Sequence, residues 1–281
     1  MAATSHTDNL RAIALFLDVD GTLLEIAARP QAVAVPAQLR ERLQALSLAT
    51  GGAVALVSGR AIKDLDALFA PLALPSAGLH GFEHRGAAGG CRRRPPPSAA
   101  ALERAHGAMS QLARQHAGLL VEDKGFALAL HYRGAAQLER VVLDAMQDLA
   151  ARVSGELELQ RGKMVAELRP AGASKAQAVA AFLAEPPFCG RTPIFIGDDL
   201  TDEPAFELVN RREGLSVLVG ERTGSAARTR LADVESVRGW LAQLQSDPQA
   251  ALRRLSAGRQ AGDREPLPSA APGPRAWSGS R

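Results

Sequence analysis

The chain of 281 residues is poor in aromatics, with 4% in total, one tyrosine and two tryptophans. Alanine, leucine and valine must carry the packing instead. Two cysteines, Cys91 and Cys189, cannot build a disulfide framework or a cysteine metal cluster. No apolar run approaches the ~20 residues that span a bilayer, and no signal-type apolar segment opens the sequence. A soluble protein in a reducing, cytoplasmic setting, with no membrane partner, is the expectation. The formal charge is +3. Its arginines bunch at Arg92–Arg94 and between Arg253 and Arg281, and the remainder is close to neutral. No basic stripe with interleaved aromatics appears, which argues against a nucleic-acid partner. Also absent are a phosphate-cradling P-loop, a Cys-His pair and a Gly-x-Gly-x-x-Gly turn opening a helix.

Present is an organising stretch, AIALFLDVDGTLL, from Ala12 to Leu24. The run Ile13 to Leu17 suits a buried strand and delivers Asp18 and Asp20 at its C-terminal end, where open parallel α/β sheets bind ligands. Two carboxylates two residues apart on an extended segment point the same way. Such neighbours resist double ionisation unless a cation lies between them or one keeps its proton. The plain alternative is an Asp-Gly turn after a core strand.

Leucines 39, 43 and 46 predict a helix that ends at Gly51-Gly52. A second apolar strand, Ala53 to Val57, ends in Ser58-Gly59-Arg60, and a helix carrying Leu65, Leu68 and Phe69 follows. Strand and helix in alternation indicate a parallel sheet with right-handed crossovers. A short strand near Ser76 to Leu79 precedes a run from Gly86 to Pro97 that reads as a hairpin turn and linker. Ser98 caps the next helix. Strands at Gly118 to Lys124 and Phe126 to Arg133, a helix through Leu149, and strands at Glu156 to Gln160 and Lys163 to Leu168 about a turn at Gly162 form an inserted α+β unit. Period-two alternation puts Phe126, Leu128, Leu130 and Tyr132 on one face, and Glu122 with Lys124, and Glu167 with Arg169, on charged faces. Such a face either meets water or closes over a hydroxyl-rich substrate.

After Pro170 to Gly172, Ser174 caps a helix whose first turn holds Lys175, where an acid would sit more comfortably. A strand to Ile196 then runs into Gly197-Asp198-Asp199-Leu200-Thr201-Asp202-Glu203. Four acids within six residues at a strand end are costly without a cation. A final strand, Leu215 to Val219, and a helix around Trp240 complete the core, and hydrophobic periodicity fades from Ser246. The strand ends together offer carboxylates, a hydroxyl and an ammonium, the set that phosphoryl transfer needs for positioning and charge neutralisation.

DVDGT, Ser-Gly-Arg, a lysine opening a helix before a strand, and GDDxxD, in that order, resemble the haloacid dehalogenase (HAD) superfamily of phosphatases. Within it, GLHGFEHR (Gly78 to Arg85), VEDK (Val121 to Lys124), HYR (His131 to Arg133), VAELRP with ASK (Val165 to Lys175) and GDDLTDEPAF are most similar to the trehalose-6-phosphate phosphatases. The resemblance covers about residues 10 to 240. It implies an α/β, Rossmann-like parallel-sheet core at 10–97 and 170–245, with an α+β cap of the C2 type at 98–169. The ends, 1–9 and 246–281, are expected to be disordered. It further implies Mg²⁺-dependent hydrolysis of a sugar phosphate through an aspartyl phosphate by a monomer or weak dimer. Asp18 would be the nucleophile and Asp20 the acid and base, while Ser58 and Lys175 would hold phosphate oxygens. Asp18, Asp20 through its carbonyl, Asp198 and Asp199 would hold the metal, with Asp202 in support. Glu122, Lys124 and Glu167 in the cap, with Gly59, Arg60 and His80 in the core, would bind substrate. Other sugar phosphates, of sucrose or mannosylglycerate type, and a silent phosphosugar-binding regulator are the alternatives.

Overall fold

The computed structural model describes residues 6–26 and 34–259. Residues 1–5, most of the irregular stretch after the first strand, and the tail from 260 fall outside the described residues. In chain order the first elements are α1 (His6–Arg11), β1 (Ile13–Leu17), α2 (Ala37–Ala49), β2 (Val54–Val57), α3 (Ile62–Phe69), β3 (Ser76–Gly78), β4 (Glu83–Arg85) and β5 (Cys91–Arg93). Next come α4 (Ala99–Gln115), β6 (Leu120–Asp123), β7 (Leu128–His131), α5 (Glu139–Arg152), β8 (Leu157–Gly162) and β9 (Val165–Pro170). The chain closes with α6 (Lys175–Leu183), β10 (Thr192–Gly197), α7 (Glu203–Arg211), β11 (Leu215–Val219), β12 (Thr229–Leu231), α8 (Val234–Ser246) and α9 (Pro248–Arg259).

The larger sheet has the order β12-β11-β10-β1-β2-β3-β4-β5. Its strands are parallel from β12 through β3, and β4 and β5 add an antiparallel edge. Every residue of β1, β2 and β11 is buried, which is why these strands read as continuous apolar runs rather than alternating ones. Leu15, Leu17, Val54, Leu56, Ile194 and Ile196 pack on one face. On the other, Phe16, Val57 and Phe195 meet α6 and α7, and Phe16 lies 5.9 Å from Phe182 and 5.5 Å from Phe188, ring centre to ring centre. β1 lies between β10 and β2, so the loops after these three strands converge.

Three expectations are corrected. The Arg92–Arg94 run is not simply a solvated linker. Residues 91–93 form the edge strand, where Arg93 meets Glu83 at 2.9 Å, Arg92 meets Glu185 at 2.6 Å, and Arg94 bonds Gln177 beyond it. A charged edge strand also discourages sheet-to-sheet association. Secondly, the β8–β9 turn is Lys163-Met164, with Met164 at φ 61°, and Gly162 belongs to the strand. Thirdly, of the ends expected to be disordered, residues 6–9 fall in α1 and 248–259 in α9, while 1–5 and 260–281 lie outside the described residues. α1 buries Leu10, while α9 buries Ala251 and Leu255 and its Ala251 carbonyl accepts the Trp240 indole N–H at 3.0 Å. An apolar pair four residues apart among Arg, Ser and Gly is too short a stripe to stand out as a periodic signal.

The smaller sheet, β6-β7-β9-β8, is antiparallel and carries α4 and α5 on one face over Leu128, Leu130, Tyr132, Ala166 and Leu168. Phe126 departs from that face: its ring sits 5.0 Å from Phe82 of the core. Among the described residues no helix is long and apolar enough to cross a membrane.

If α9 seals the core over Trp240, Leu255→Ala will cost about 2–5 kcal/mol, as for other buried leucines. Denaturant unfolding checks this, and an unchanged midpoint would mean that the helix merely rests on the surface.

Candidate active site

Asp18 follows β1 directly, and its backbone N–H donates to the Ile196 carbonyl at 3.0 Å, which ties the first acidic motif to β10. The residue is 4% exposed. Lys175, the first residue of α6, is placed by Ser174, whose Oγ accepts the Gln177 N–H. The Lys175 ammonium donates to Asp18 Oδ1 at 2.7 Å and to Asp202 Oδ1 at 2.6 Å. Its unusual place in a first turn is thereby explained, since it serves two buried carboxylates rather than its own helix.

Asp18, Asp198 and Asp202 bring one oxygen each within 4.8 Å of one another. One ammonium cannot balance three carboxylates out of water. Burial first, then Asp202 and Asp198, push the Asp18 carboxyl well up against the pull of Lys175. Asp198 is pushed up to about 7, by burial first and Asp202 next. Burial alone would lower Lys175, yet Asp18 and Asp202 outweigh it and hold the ammonium protonated. Asp198 Oδ1 is buried without a partner among the described residues. A Cβ at Gly21, where φ is +85°, would fall 2.1 Å from Asp198 Oδ2, so this glycine keeps space beside the carboxylate. A hard oxygen donor set, short of positive charge and with a free buried oxygen, fits a divalent cation such as Mg²⁺.

Asp199 does not join that cluster. Its carboxylate accepts the next backbone N–H, from Leu200, at 2.7 Å, and its own N–H donates to Asp202 Oδ2 at 2.9 Å. The tight turn at Leu200–Asp202 swings Asp202 back under the sheet edge, fully buried, and leaves Asp199 facing the smaller sheet. Gly162 serves that approach, because a Cβ there would come 3.1 Å from Asp199 Oδ2.

Asp20 lies at the rim and receives a two-pronged contact from Arg60, Nε to Oδ2 at 2.7 Å and Nη2 to Oδ1 at 2.6 Å. Arg60, expected on the substrate, lines the same cavity and pairs with the second aspartate. Ser58 is buried, with its Oγ accepting the Arg60 N–H at 3.1 Å. Thr22 adds a long contact of 3.4 Å to Asp18 Oδ2.

Opposite these loops hangs the uncovered face of the smaller sheet. Its register aligns Glu122, Ala129, Glu167 and Gln160 in one row across four strands, with His131, Val165 and Gly162 in the next. Lys124 reaches Glu167 at 2.9 Å, and His131 Nε2 lies 2.8 Å from Glu122. Burial would raise Glu167, but Lys124 and His80 hold it below the usual carboxylate range. A cavity of about 550 Å³ separates this face from the core loops, and its walls include Asp18, Asp20, Ser58, Gly59, Arg60, His80, Glu122, Lys124, Glu167, Lys175 and Asp199. Asp198 is not among the wall residues. His131, Arg133, Gln160 and Thr201 line the cavity without having been candidates. Strand alternation carries the signal for His131, which follows Ala129 on one face of β7, while Arg133 lies just past the strand.

Lys175→Met tests the charge balance without added metal. Removing the ammonium that faces two buried carboxylates and the half-buried Asp198 is expected to cost about 3–5 kcal/mol at pH 8. Carboxyls whose folded pKa is raised bind more protons folded than unfolded, so their penalty shrinks as pH falls. Denaturation in EDTA should therefore show a smaller deficit at pH 5 than at pH 8, and a deficit equal at both would contradict the electrostatic account.

Comparison with known proteins agrees with this architecture. The trehalose-phosphatase family model matches residues 16–235. A probable trehalose-phosphate phosphatase of Sinorhizobium fredii is 46% identical over 232 residues, covering 82% of this chain and 87% of that protein. The trehalose-6-phosphate phosphatase of Escherichia coli is also 46% identical over 232 residues, covering 81% and 85%. Among solved structures, the C-terminal domain of Candida albicans trehalose-6-phosphate phosphatase superposes with a TM-score of 0.77 at 20% identity, over 86% of this chain and 96% of that one. A HAD-superfamily phosphatase of Bacteroides thetaiotaomicron gives 0.57 at 19% identity, over 88% and 97%. These two likenesses show the fold. With its core sheet, its strand-end acids and its match over residues 16–235, the chain belongs to the trehalose-phosphatase family.

Proposed function

We propose that the chain hydrolyses trehalose 6-phosphate to trehalose and phosphate through an aspartyl phosphate on Asp18. The observation that carries this reading is the buried Asp18 carboxylate, held by Lys175 at the wall of a cavity whose far side is polar. Asp18 Oδ attacks phosphorus, and the bond from phosphorus to the sugar's primary oxygen breaks. Asp20 gives that oxygen its proton. The same carboxylate then takes a proton from water, which attacks the phosphorus of the acyl phosphate. Phosphate leaves and Asp18 is restored. Splitting the reaction in two and neutralising charge suits a hydrolysis whose uncatalysed rate is among the slowest known.

Asp18, Asp198 and the Asp20 carbonyl would hold Mg²⁺, with Asp202 supporting the set from beneath. When bound, it supplies positive charge against the transferring phosphoryl oxygens. Ser58 donates to a phosphate oxygen while Lys175 orients Asp18 and pulls it toward the ionised form against its burial. We read residues 98–169 as the C2-type cap, whose Glu122, Lys124 and Glu167 take sugar hydroxyls. Arg60 works on Asp20, and Gly59 leaves room for His80 beside it. Two exposed, unpaired cysteines, Cys91 and Cys189, suit a reducing compartment, and we place the activity in the cytoplasm.

Phosphate release from trehalose 6-phosphate, sucrose 6-phosphate and glucose 6-phosphate, with Mg²⁺ and with EDTA, tests the reading. The expected result is strong preference for the trehalose ester, lost in EDTA. Asp18→Asn should remove turnover by at least about 10³-fold, as losing a covalent nucleophile does, with folding retained. Activity spread evenly over the three esters would discard the substrate, and substantial turnover by Asp18→Asn would discard the nucleophile. In Glu122→Ala, the trehalose ester should suffer far more than a small aryl phosphate; equal losses would remove Glu122 from the sugar site.

A further inference from the structure

The turn after β3 carries a feature that phosphate chemistry leaves unexplained. Leu79 and His80 are consecutive non-glycine residues with positive φ, 48° and 55°, and both are buried. Side-chain-bearing residues avoid this conformation, and such strain gathers at functional sites. Close packing enforces it from three sides. A Cβ at Gly78 would fall 2.7 Å from the Ile62 nitrogen, at Gly81 2.8 Å from the Ser174 carbonyl, and at Gly59 2.8 Å from His80 Nε2. The turn is thus wedged against both the Ser58 motif and the residue that caps the Lys175 helix.

The result is an imidazole pushed out of the core toward the cap. His80 Nε2 lies 3.6 Å from Glu167 Oε2, the same oxygen that takes the Lys124 ammonium. Glu167 belongs to the middle of the cap sheet, paired with Ala129 on one side and Gln160 on the other. Among the described residues, His80 Nδ1 and Glu167 Oε1 are both buried without a partner. An apolar side chain would fill the same space without that desolvation cost. Packing alone therefore does not account for a histidine here.

We propose that His80 is a positioning residue for the sugar site, contacting Glu167 across the core–cap boundary and fixing its carboxylate, with Lys124, toward the sugar hydroxyls when the cap is shut. The inference rests on the reading of Glu167 and Lys124 as sugar ligands. It makes substrate reading contingent on cap position: with the cap raised, Glu167 loses its core partner and the sugar site is incomplete.

The test is a double-mutant cycle read on two substrates. His80→Asn suits the left-handed backbone, while its shorter amide cannot span to Glu167. Its kcat/KM for trehalose 6-phosphate should fall about 10-fold, the low end for losing a buried contact to a charged group, since 3.6 Å exceeds a hydrogen bond, while that for p-nitrophenyl phosphate stays within about 3-fold. In the Glu167→Gln background, His80→Asn should cause no further loss, because coupled residues are not additive. His80→Gln, with an amide near the Nε2 position, should recover part of the preference, and it serves the same cycle if the Asn variant is unfolded. Equal losses on both substrates, or additive losses in the double variant, would overturn the assignment. A wild-type protein that turned over the aryl ester without preferring trehalose 6-phosphate would overturn the sugar-site reading and this inference with it.

Discussion

One ammonium among three carboxylates governs the architecture. Lys175 bonds Asp18 and Asp202 in a volume from which water is excluded, and Asp198 stands beside them with an oxygen unmet. Arranging this demands that β1, β10 and the N-terminus of α6 hold fixed relative positions. The Asp18 N–H to Ile196 carbonyl bond and the Ser174 cap do so. Glycines follow from the same demand, since Gly21 and Gly197 would each set a Cβ within about 2.4 Å of an acidic side chain. The cluster is unfavourable as a folded-state device and favourable as a receptor for positive charge. It gives up stability at the place where function needs an unbalanced field.

The second half of the cavity obeys a different rule. In the cap sheet, register decides chemistry: one row presents Glu122, Ala129, Glu167 and Gln160, and the small Ala129 leaves the middle open. A slip of one residue would turn leucines toward the cleft and acids into the helices. Because Gly162 lets β8 approach Asp199 and His80 approaches Glu167, the two halves meet through polar contacts as well as through the Phe82–Phe126 pair.

Much of this was legible in the sequence, for physical reasons. Buried parallel strands are continuous apolar runs, and an acid or hydroxyl immediately after one has few structural uses, so Asp18, Ser58 and the Asp198 run stood out. Strand alternation likewise placed Glu122, Lys124 and Glu167 on polar faces. Less legible were features that depend on folding back. The turn at Leu200–Asp202 decides that Asp202, rather than Asp199, joins the buried cluster, and spacing alone cannot distinguish them. Arg60 lines the cavity as a substrate residue would, and its pairing with Asp20 depends on how two loops converge, which spacing does not show. Edge strand β5 is written in arginines, whose partners are Glu83, opposite Arg93 in the hairpin, and Glu185, distant in sequence from Arg92. Helix α9 rests on two small apolar contacts within a tail of disorder-prone composition.

The central claim is that Asp18 carries the phosphoryl group. Its most direct measurement is a rapid-quench single turnover of trehalose 6-phosphate bearing labelled phosphate by the unaltered protein, stopped with acid at millisecond times. The account predicts sugar released ahead of phosphate, with hydroxylamine-sensitive label on the peptide containing Asp18. Turnover in which phosphate appears together with the sugar and no label ever resides on the protein would contradict it.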